Sequence, residues 1–340
     1  MTEQLKLKLN DSKATRWGAL VIVAFTMMAA YYVNDVVAPL KTMLETDLAW
    51  SSTDFGFFTG GYSFLNVFFL MLIWGGLILD RFGIRFTGKL ATILMVGGTA
   101  LEYYAMTGLA GADATLFGIN EIFGYKTGVF VAFAGYSIFG VGAEVAGITV
   151  SKIIAKWFKG KELATAMGVQ VALARIGSQA GYAVAIPLAR AFGISTPVLL
   201  GLVLLLGGMI AFFVFAVMDK KLDKQMEAAA IAAGTEDEEE KFSFKDVKNI
   251  LVNPGFWLIA LLCVLFYSCV FPFQKFASEL MIIKYGINEN VAGTFAGLPA
   301  LGALILTPVF GGFIDKRGKS ASIMLLGSAM LICVHFIYAI

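Results

Sequence analysis

Two charged side chains sit where charge is costly. Glu144 interrupts the apolar stretch 128–152 and Arg175 the apolar stretch 163–187. A charge at the centre of a bilayer costs ~2.5–3.5 kcal/mol on insertion scales, so its presence points to function by default. Glu144 lies eight residues before Lys152, ~12 Å along a helix. Arg175 lies twelve residues after Leu163, ~18 Å along the returning helix. In a hydrocarbon layer ~30 Å thick, both are near mid-depth. A carboxylate accepts from an ammonium group, and a guanidinium clasps a carboxylate with two parallel hydrogen bonds. The two residues therefore suit a zwitterion, and a short peptide carries one charge of each sign at its ends. They also suit a structural ion pair between their helices. The two readings are compatible, because a pair closed when empty can open around a ligand.

Other chemistry finds no support. The chain has no G-x-x-x-x-G-K-[ST] phosphate loop, no H-E-x-x-H and no G-x-S-x-G, so neither nucleotide hydrolysis nor a familiar hydrolase is expected. Cys263, Cys269 and Cys333 all lie in apolar stretches. They make neither a disulfide framework nor a zinc site. No cofactor, no metal and no enzymatic activity are expected.

The elements that must position Glu144 and Arg175 follow from composition. Of 340 residues, 59% are hydrophobic and only 15% charged, with mean hydropathy +0.80. Soluble domains average ~45–50% apolar and ~25% charged, so there are too few charges to coat a soluble core. The net charge of +2 leaves no footprint for nucleic acid. Stretches of ~20 apolar residues are long enough to span a bilayer. Nine are read: 17–40, 55–79, 88–110, 128–152, 163–187, 197–218, 255–283, 291–314 and 321–340. The fold class expected is an all-α polytopic membrane protein.

Basic residues then orient the spans. Of the 26 Lys and Arg, twenty fall in the N-terminus, in the intervals 80–87, 153–162, 219–254 and 315–320, or at the helix ends beside them. Lys41, Lys126, Arg190 and Lys284 fall on the other side, and Arg175 and Lys275 within spans. The first set is therefore expected to be cytoplasmic, the N-terminus included. The interval 219–254, with acidic residues from Glu236 to Glu240, reads as a solvated linker between a six-helix half (1–218) and a partial second half (255–340).

A repeat supports two halves. GGLILDRFGIR follows span 2 and GGFIDKRGK follows span 8. With Asp80 aligned on Asp315, Gly76 and Gly311 precede them by four residues, and Gly83 and Gly318 follow by three. Basic residues come next: Arg81 and Arg85 in one copy, Arg317 in the other. Glycines allow a sharp turn and close helix approach, and an aspartate at a helix end can pair across an interface. Two copies in register read as a conformational gate, and two units related by an axis along the membrane normal are a known transporter architecture.

This G-x-x-x-D-[RK]-x-G loop, present twice, resembles the signature of the major facilitator superfamily. FGVGAE, KWFKGKELATAMGVQVALARIGS, YSCVFPF and IKYGIN resemble its lysosomal dipeptide transporter branch. The resemblance runs from about residue 30 to 320. It implies a major facilitator fold of two six-helix halves that transports by alternating access. In that branch the glutamate of F-G-x-G-x-E and the arginine of A-R-I-G-S belong to the substrate site, and they match Glu144 and Arg175. Nine spans against the usual twelve imply a chain lacking its last three helices. Tyr136 stands where many members carry an arginine, which counts against proton coupling by span 4. Span 5 has Gly177 and Gly181 but lacks the Gly-Pro of the antiporters.

Further expectations concern secondary sites and setting. Asp35 and Lys275, near the outer ends of the equivalent spans 1 and 7, can pair as an outer gate or simply snorkel. Glu102, in span 3, either faces the cavity or packs against a partner. Tyr32, Tyr62, Asn66, Gln170, Gln179, Tyr182 and Tyr267 can line a polar cavity, although most such residues bond neighbouring helices. Pro272 should kink span 7. The function expected is a monomeric secondary transporter of dipeptides in a cytoplasmic (plasma) membrane rather than a lysosomal one. The alternatives are an organic-anion carrier of the same superfamily, or a receptor or enzyme on a transporter-like core.

Overall fold

The computed structural model describes residues 8–111, 114–233, 249–317 and 319–339. Helices dominate: α1 (Lys13–Val36), α2 (Lys41–Asp47), α3 (Ser52–Phe68), α4 (Met71–Thr107), α5 (Thr127–Trp157), α6 (Leu163–Phe192), α7 (Thr196–Ala233), α8 (Pro254–Ile283), α9 (Glu289–Arg317) and α10 (Ser320–Ala339). A two-residue hairpin, β1 (Glu121–Ile122) with β2 (Tyr125–Lys126), precedes α5.

Local chemistry sets several helix starts. Ser51 and Asp54 form a reciprocal capping box at α3, satisfying two amide donors that would otherwise be orphaned. Asn253 caps α8, and Pro254 follows at the first turn, where its missing N–H costs nothing. Pro272 lies inside α8, which runs on through it as one helix.

Among the described residues, six helical segments are long and apolar enough to cross a membrane: Lys13–Asp47, Thr127–Trp157, Thr196–Ala229, Pro254–Ile283, Glu289–Leu306 and Ala321–Ala339. The pair α3 and α4, bent by 58° at their junction, makes up to seven. Span 2 is thus not one continuous helix: Leu70 adopts a left-handed backbone (φ 52°) and breaks it. Its second piece continues into span 3 within α4, interrupted only at Gly83, whose φ of +74° is unfavourable for any residue with a Cβ. The helix carrying Arg175 is long but too polar to pass on hydropathy, since Gln170, Ser178 and Gln179 interrupt it too. Helix α7 continues to Ala233, through the first part of the stretch read as linker. The acidic residues 236–240 lie outside the described residues.

Glycine seams hold the first half together. On α5, Gly128, Gly135 and Gly142 recur every seven residues and all face α4. A Cβ at Gly135 would stand 2.6 Å from the Gly98 carbonyl oxygen, and one at Gly142 2.7 Å from that of Ala91. Gly177 and Gly181 of α6 meet the Met28 and Tyr32 carbonyls of α1 in the same way. Within a bilayer there is little hydrophobic gain from joining helices, so close backbone packing of small residues takes its place.

Candidate functional site

The seams aim the charged side chains. Gly140 of α5 lies against the Tyr62 carbonyl of α3. One turn on, Glu144 comes to the same helix, and the Tyr62 hydroxyl donates to Glu144 Oε1 at 2.8 Å. On α6, Arg175 precedes Gly177 and its guanidinium lies over the Tyr31 ring, 5.8 Å from the centroid. A cation over an aromatic face is attracted by the ring quadrupole. Both charged residues are half-buried, and among the described residues no ion pair joins them. The structural ion pair between spans 4 and 5 is therefore absent. The reason is topological: α1 packs along α6, and α5 along α3 and α4, so each charge is engaged by a different tyrosine, Arg175 by Tyr31 and Glu144 by Tyr62.

The two halves meet where α9 packs on α6 and where α8 packs on the turn after α1. Among the described residues, every side-chain hydrogen bond between them lies at the far end, opposite the end rich in Lys and Arg. Lys41, almost wholly buried, bridges Glu45 and Glu279. Lys275 Nζ donates to the Asn34 carbonyl at 2.6 Å and to the Tyr136 hydroxyl at 3.1 Å, with Asp35 3.7 Å away. The Tyr136 hydroxyl in turn lies 2.7 Å from the Asn34 carbonyl oxygen. Arg190 reaches Glu289 and Asn290. The Tyr182 hydroxyl donates to the Gln274 carbonyl at 3.1 Å, and Gln179 to that of Thr294 at 3.4 Å. Gly293 and Gly297 of α9 let that helix approach α6 at this level, a Cβ at Gly293 falling 2.2 Å from the Tyr182 carbonyl oxygen. Arg175 lies one turn beyond Gln179 toward the basic end, and Glu144 two turns beyond Tyr136. The candidate site is therefore capped on one side by the contacts between halves.

At the basic end the first half is braced within itself. Asp219 of α7 is fully buried. It accepts from Lys156 Nζ at 2.7 Å, Trp157 Nε1 at 3.0 Å and Arg85 Nη1 at 3.1 Å. Asp223, one turn on, shares Lys156 and Arg85. Beside this knot lies a cleft of about 780 Å³ lined by Asp80, Arg85, Lys152 and Lys159 among others.

The gate residues sort unevenly. Asp80 pairs with Lys152 of its own half at 3.0 Å, both side chains about half exposed, and Arg85 belongs to the Asp219 knot. Among the described residues, neither reaches across to the second half in this conformation. Gly76 has nothing within 4 Å of a built Cβ; the close approach belongs to Gly75, where a Cβ would stand 2.5 Å from Val145 Cγ2. One residue of helical rotation decides which of the two glycines meets α5. Arg81 is exposed above Phe82, and Arg317 lies over the Phe313 ring. Gly318 and the side chains of Gly311 and Asp315 lie outside the described residues.

The polar cavity residues also divide. Tyr62 touches Glu144, whereas the Tyr32 hydroxyl donates to the Pro197 carbonyl and serves helix packing. Tyr136 and Lys41 were missed as functional residues. Their only signals were a tyrosine in place of an arginine and a basic residue on the wrong side.

The Major Facilitator Superfamily profile matches residues 17–340. The chain is 27% identical over 340 residues to the human lysosomal dipeptide transporter MFSD1, covering 96% of this chain and 67% of that protein. It is 27% identical over 334 residues to the Pongo abelii protein of the same name, covering 94% and 65%. The chain thus spans about two thirds of the length of these relatives. Among solved structures, the D-xylose-proton symporter superposes with a TM-score of 0.57 at 15% identity, covering 88% of this chain and 69% of that one; that likeness concerns the fold alone.

Proposed function

We propose that this chain, which belongs to the Major Facilitator Superfamily, is a membrane transporter of dipeptides that works by alternating access. The observation that carries this reading is the placement of Glu144 and Arg175. Each is half-buried, neither neutralises the other, and each meets its own tyrosine beneath a closed far end. Two unlike charges held apart suit the two ends of one zwitterion: Glu144 takes the amino terminus and Arg175 the carboxylate. The names of the relatives agree with this chemistry.

In this reading the far-end contacts of Asp35 with Lys275 and of Lys41 with Glu279 form the closed gate. The loop around Asp80 latches the other end when the halves rock. Asp80 then exchanges Lys152 for a partner on the second half. The test is uptake of labelled dipeptide into proteoliposomes, with an organic anion lacking an amino group as competitor. Saturable dipeptide uptake that the anion does not compete for is expected. Transport of the anion alone would favour an organic-anion carrier and end the dipeptide reading. In the same vesicles Asp80→Asn should slow turnover while leaving half-saturation nearly unchanged; an unaltered rate would sink the latch.

The basic end is assigned to the cytoplasm of a plasma-membrane-type bilayer on its excess of Lys and Arg. A cysteine placed at Lys224 should react only with reagent on the cytoplasmic side, and one at Gly118 only from the opposite side. Labelling of both from one side would overturn the topology.

A further inference from the structure

Two tight turns stand ahead of α5, and each carries a phenylalanine in an unfavourable place. Leu116-Phe117-Gly118-Ile119 and Ile122-Phe123-Gly124-Tyr125 repeat one pattern six residues apart. In each, the outer residues pair across the turn, Leu116 with Ile119 and Ile122 with Tyr125. Both central residues have positive φ: 54° and 79° at Phe117 and Gly118, 53° and 80° at Phe123 and Gly124. Positive φ at both centres is the mark of a type I′ turn, whose first central position favours asparagine, aspartate or glycine. A bulky side chain there is a backbone outlier, and such strain points to function. Neither ring gains burial in exchange: Phe117 is 96% exposed and Phe123 88%.

The turns are tied to the far end of a spanning helix. Thr127, the first residue of α5, donates its N–H to the Asn120 carbonyl at 2.9 Å and its hydroxyl to that of Ile119 at 2.8 Å. Lys126 reaches the Ala49 carbonyl just past α2. Tyr125 stacks on Phe57 of α3, the centroids 3.9 Å apart. Phe123 leans on Phe130, inside α5, at 5.9 Å, and Phe130 on Phe133 at 6.1 Å. An apolar strip therefore runs from the second turn into the membrane-crossing part of the helix. From Ala114 to Phe133 the only charges are Glu121 and Lys126, which oppose each other across β1 and β2. That leaves no unmatched charge for an acidic headgroup or a charged partner.

We propose that Phe117 and Phe123 insert into the lipid interface on the far side, so that the paired turns anchor the start of α5 to the bilayer. The partner is the headgroup–acyl boundary, whatever the headgroup charge. Exposed aromatic rings beside a span favour that boundary, and an apolar surface there sinks about 5–10 Å. Continuity with Phe130 favours lipid over a soluble protein, because the strip already leads into the membrane. The insertion is shallow, so Gly118 stays within reach of reagents on that side. Held at its first turn, the helix that carries Glu144 keeps its depth while the two halves move.

A spin label at Ile119, between the two rings, tests this with both of them in place. The full chain, its native cysteines replaced by serine, is put into phosphatidylcholine vesicles. Collisions of the label with oxygen, which partitions into the bilayer, are compared with those of a water-soluble nickel chelate. The oxygen-to-nickel ratio at Ile119 should be several-fold above that of a label at the exposed Asp47. Phe117→Asn combined with Phe123→Asn supplies the residue a type I′ turn prefers, so the turns should keep their shape. In that variant the ratio at Ile119 should fall to the Asp47 level, and either single substitution should give part of the fall. Vesicles containing phosphatidylglycerol should give the same ratios. A parental label as wet as Asp47 would overturn the proposal and leave the rings to a soluble partner. An undiminished ratio in the double and single asparagine variants would overturn it too. So would insertion seen only with phosphatidylglycerol, which would assign the anchoring to charge.

Discussion

Glu144→Gln and Arg175→Lys should each abolish dipeptide binding while leaving the protein folded. Removing one partner of a buried charge pair costs ~3–5 kcal/mol, which is a loss of roughly 100- to 3000-fold in Kd. Lysine fails at position 175 because an ammonium cannot reproduce the bidentate fork of a guanidinium. It would also lose the planar stacking available over Tyr31. Ligands with blocked ends assign the roles. An N-acetylated dipeptide should bind weakly and no longer respond to Glu144→Gln. A C-amidated one should bind weakly and no longer respond to Arg175→Lys. Because no ion pair joins the two residues, exchanging their charges should not restore function. Binding isotherms for purified variants check this. Parental affinity in either well-folded variant would place the site elsewhere.

The second large effect is on stability. Asp219→Ala should lower the apparent unfolding midpoint by about 5–10 °C. Three donors, Lys156, Trp157 and Arg85, converge on this fully buried carboxylate. Its removal leaves the Trp157 indole N–H without an acceptor and takes from Lys156 and Arg85 the buried one of their two carboxylates, at a cost of ~3–5 kcal/mol, and a chain this long converts each kcal/mol into ~2 °C. Asp223→Asn is the control. Its carboxylate shares the same cations but is 41% exposed, where ion pairs contribute ~0–1 kcal/mol. Thermal unfolding in detergent separates the two. Equal shifts, or no shift in Asp219→Ala, would show that the knot does not brace the first half.

The same residues show how far sequence reasoning reaches. Composition alone settled membrane residence and helical class, because a chain with so few charges has no other way to meet solvent. The motif at Asp80 pointed to the right superfamily, since its glycines and charges are adjacent in sequence. Glu144 and Arg175 stood out as single charges in apolar runs, which requires no knowledge of their neighbours. Their partners did not stand out. Nothing in the spacing of Tyr62 and Tyr31 places one on Glu144 and the other over Arg175, since both contacts join helices distant in the chain.

What tertiary structure decided was which charges meet. Arg85 and Asp219 are separated by 134 positions, and Lys41 and Glu279 by 238; only the packing of helices brings each pair together. Helical rotation chose Gly75 over Gly76 for contact with α5, a difference of one residue that hydropathy does not resolve. The burial of Glu102 is likewise a property of the seam between α4 and α5. A carboxyl in an apolar run is equally consistent with a wet cavity, and only backbone contact at Gly98 and Gly135 leaves it dry and unpartnered. The sequence by itself determined the class of protein and where its costly charges fall, because hydrophobicity and charge are local. Which of those charges are paired, exposed or sealed was decided by helix contacts, because electrostatic energy depends on distance in space rather than along the chain.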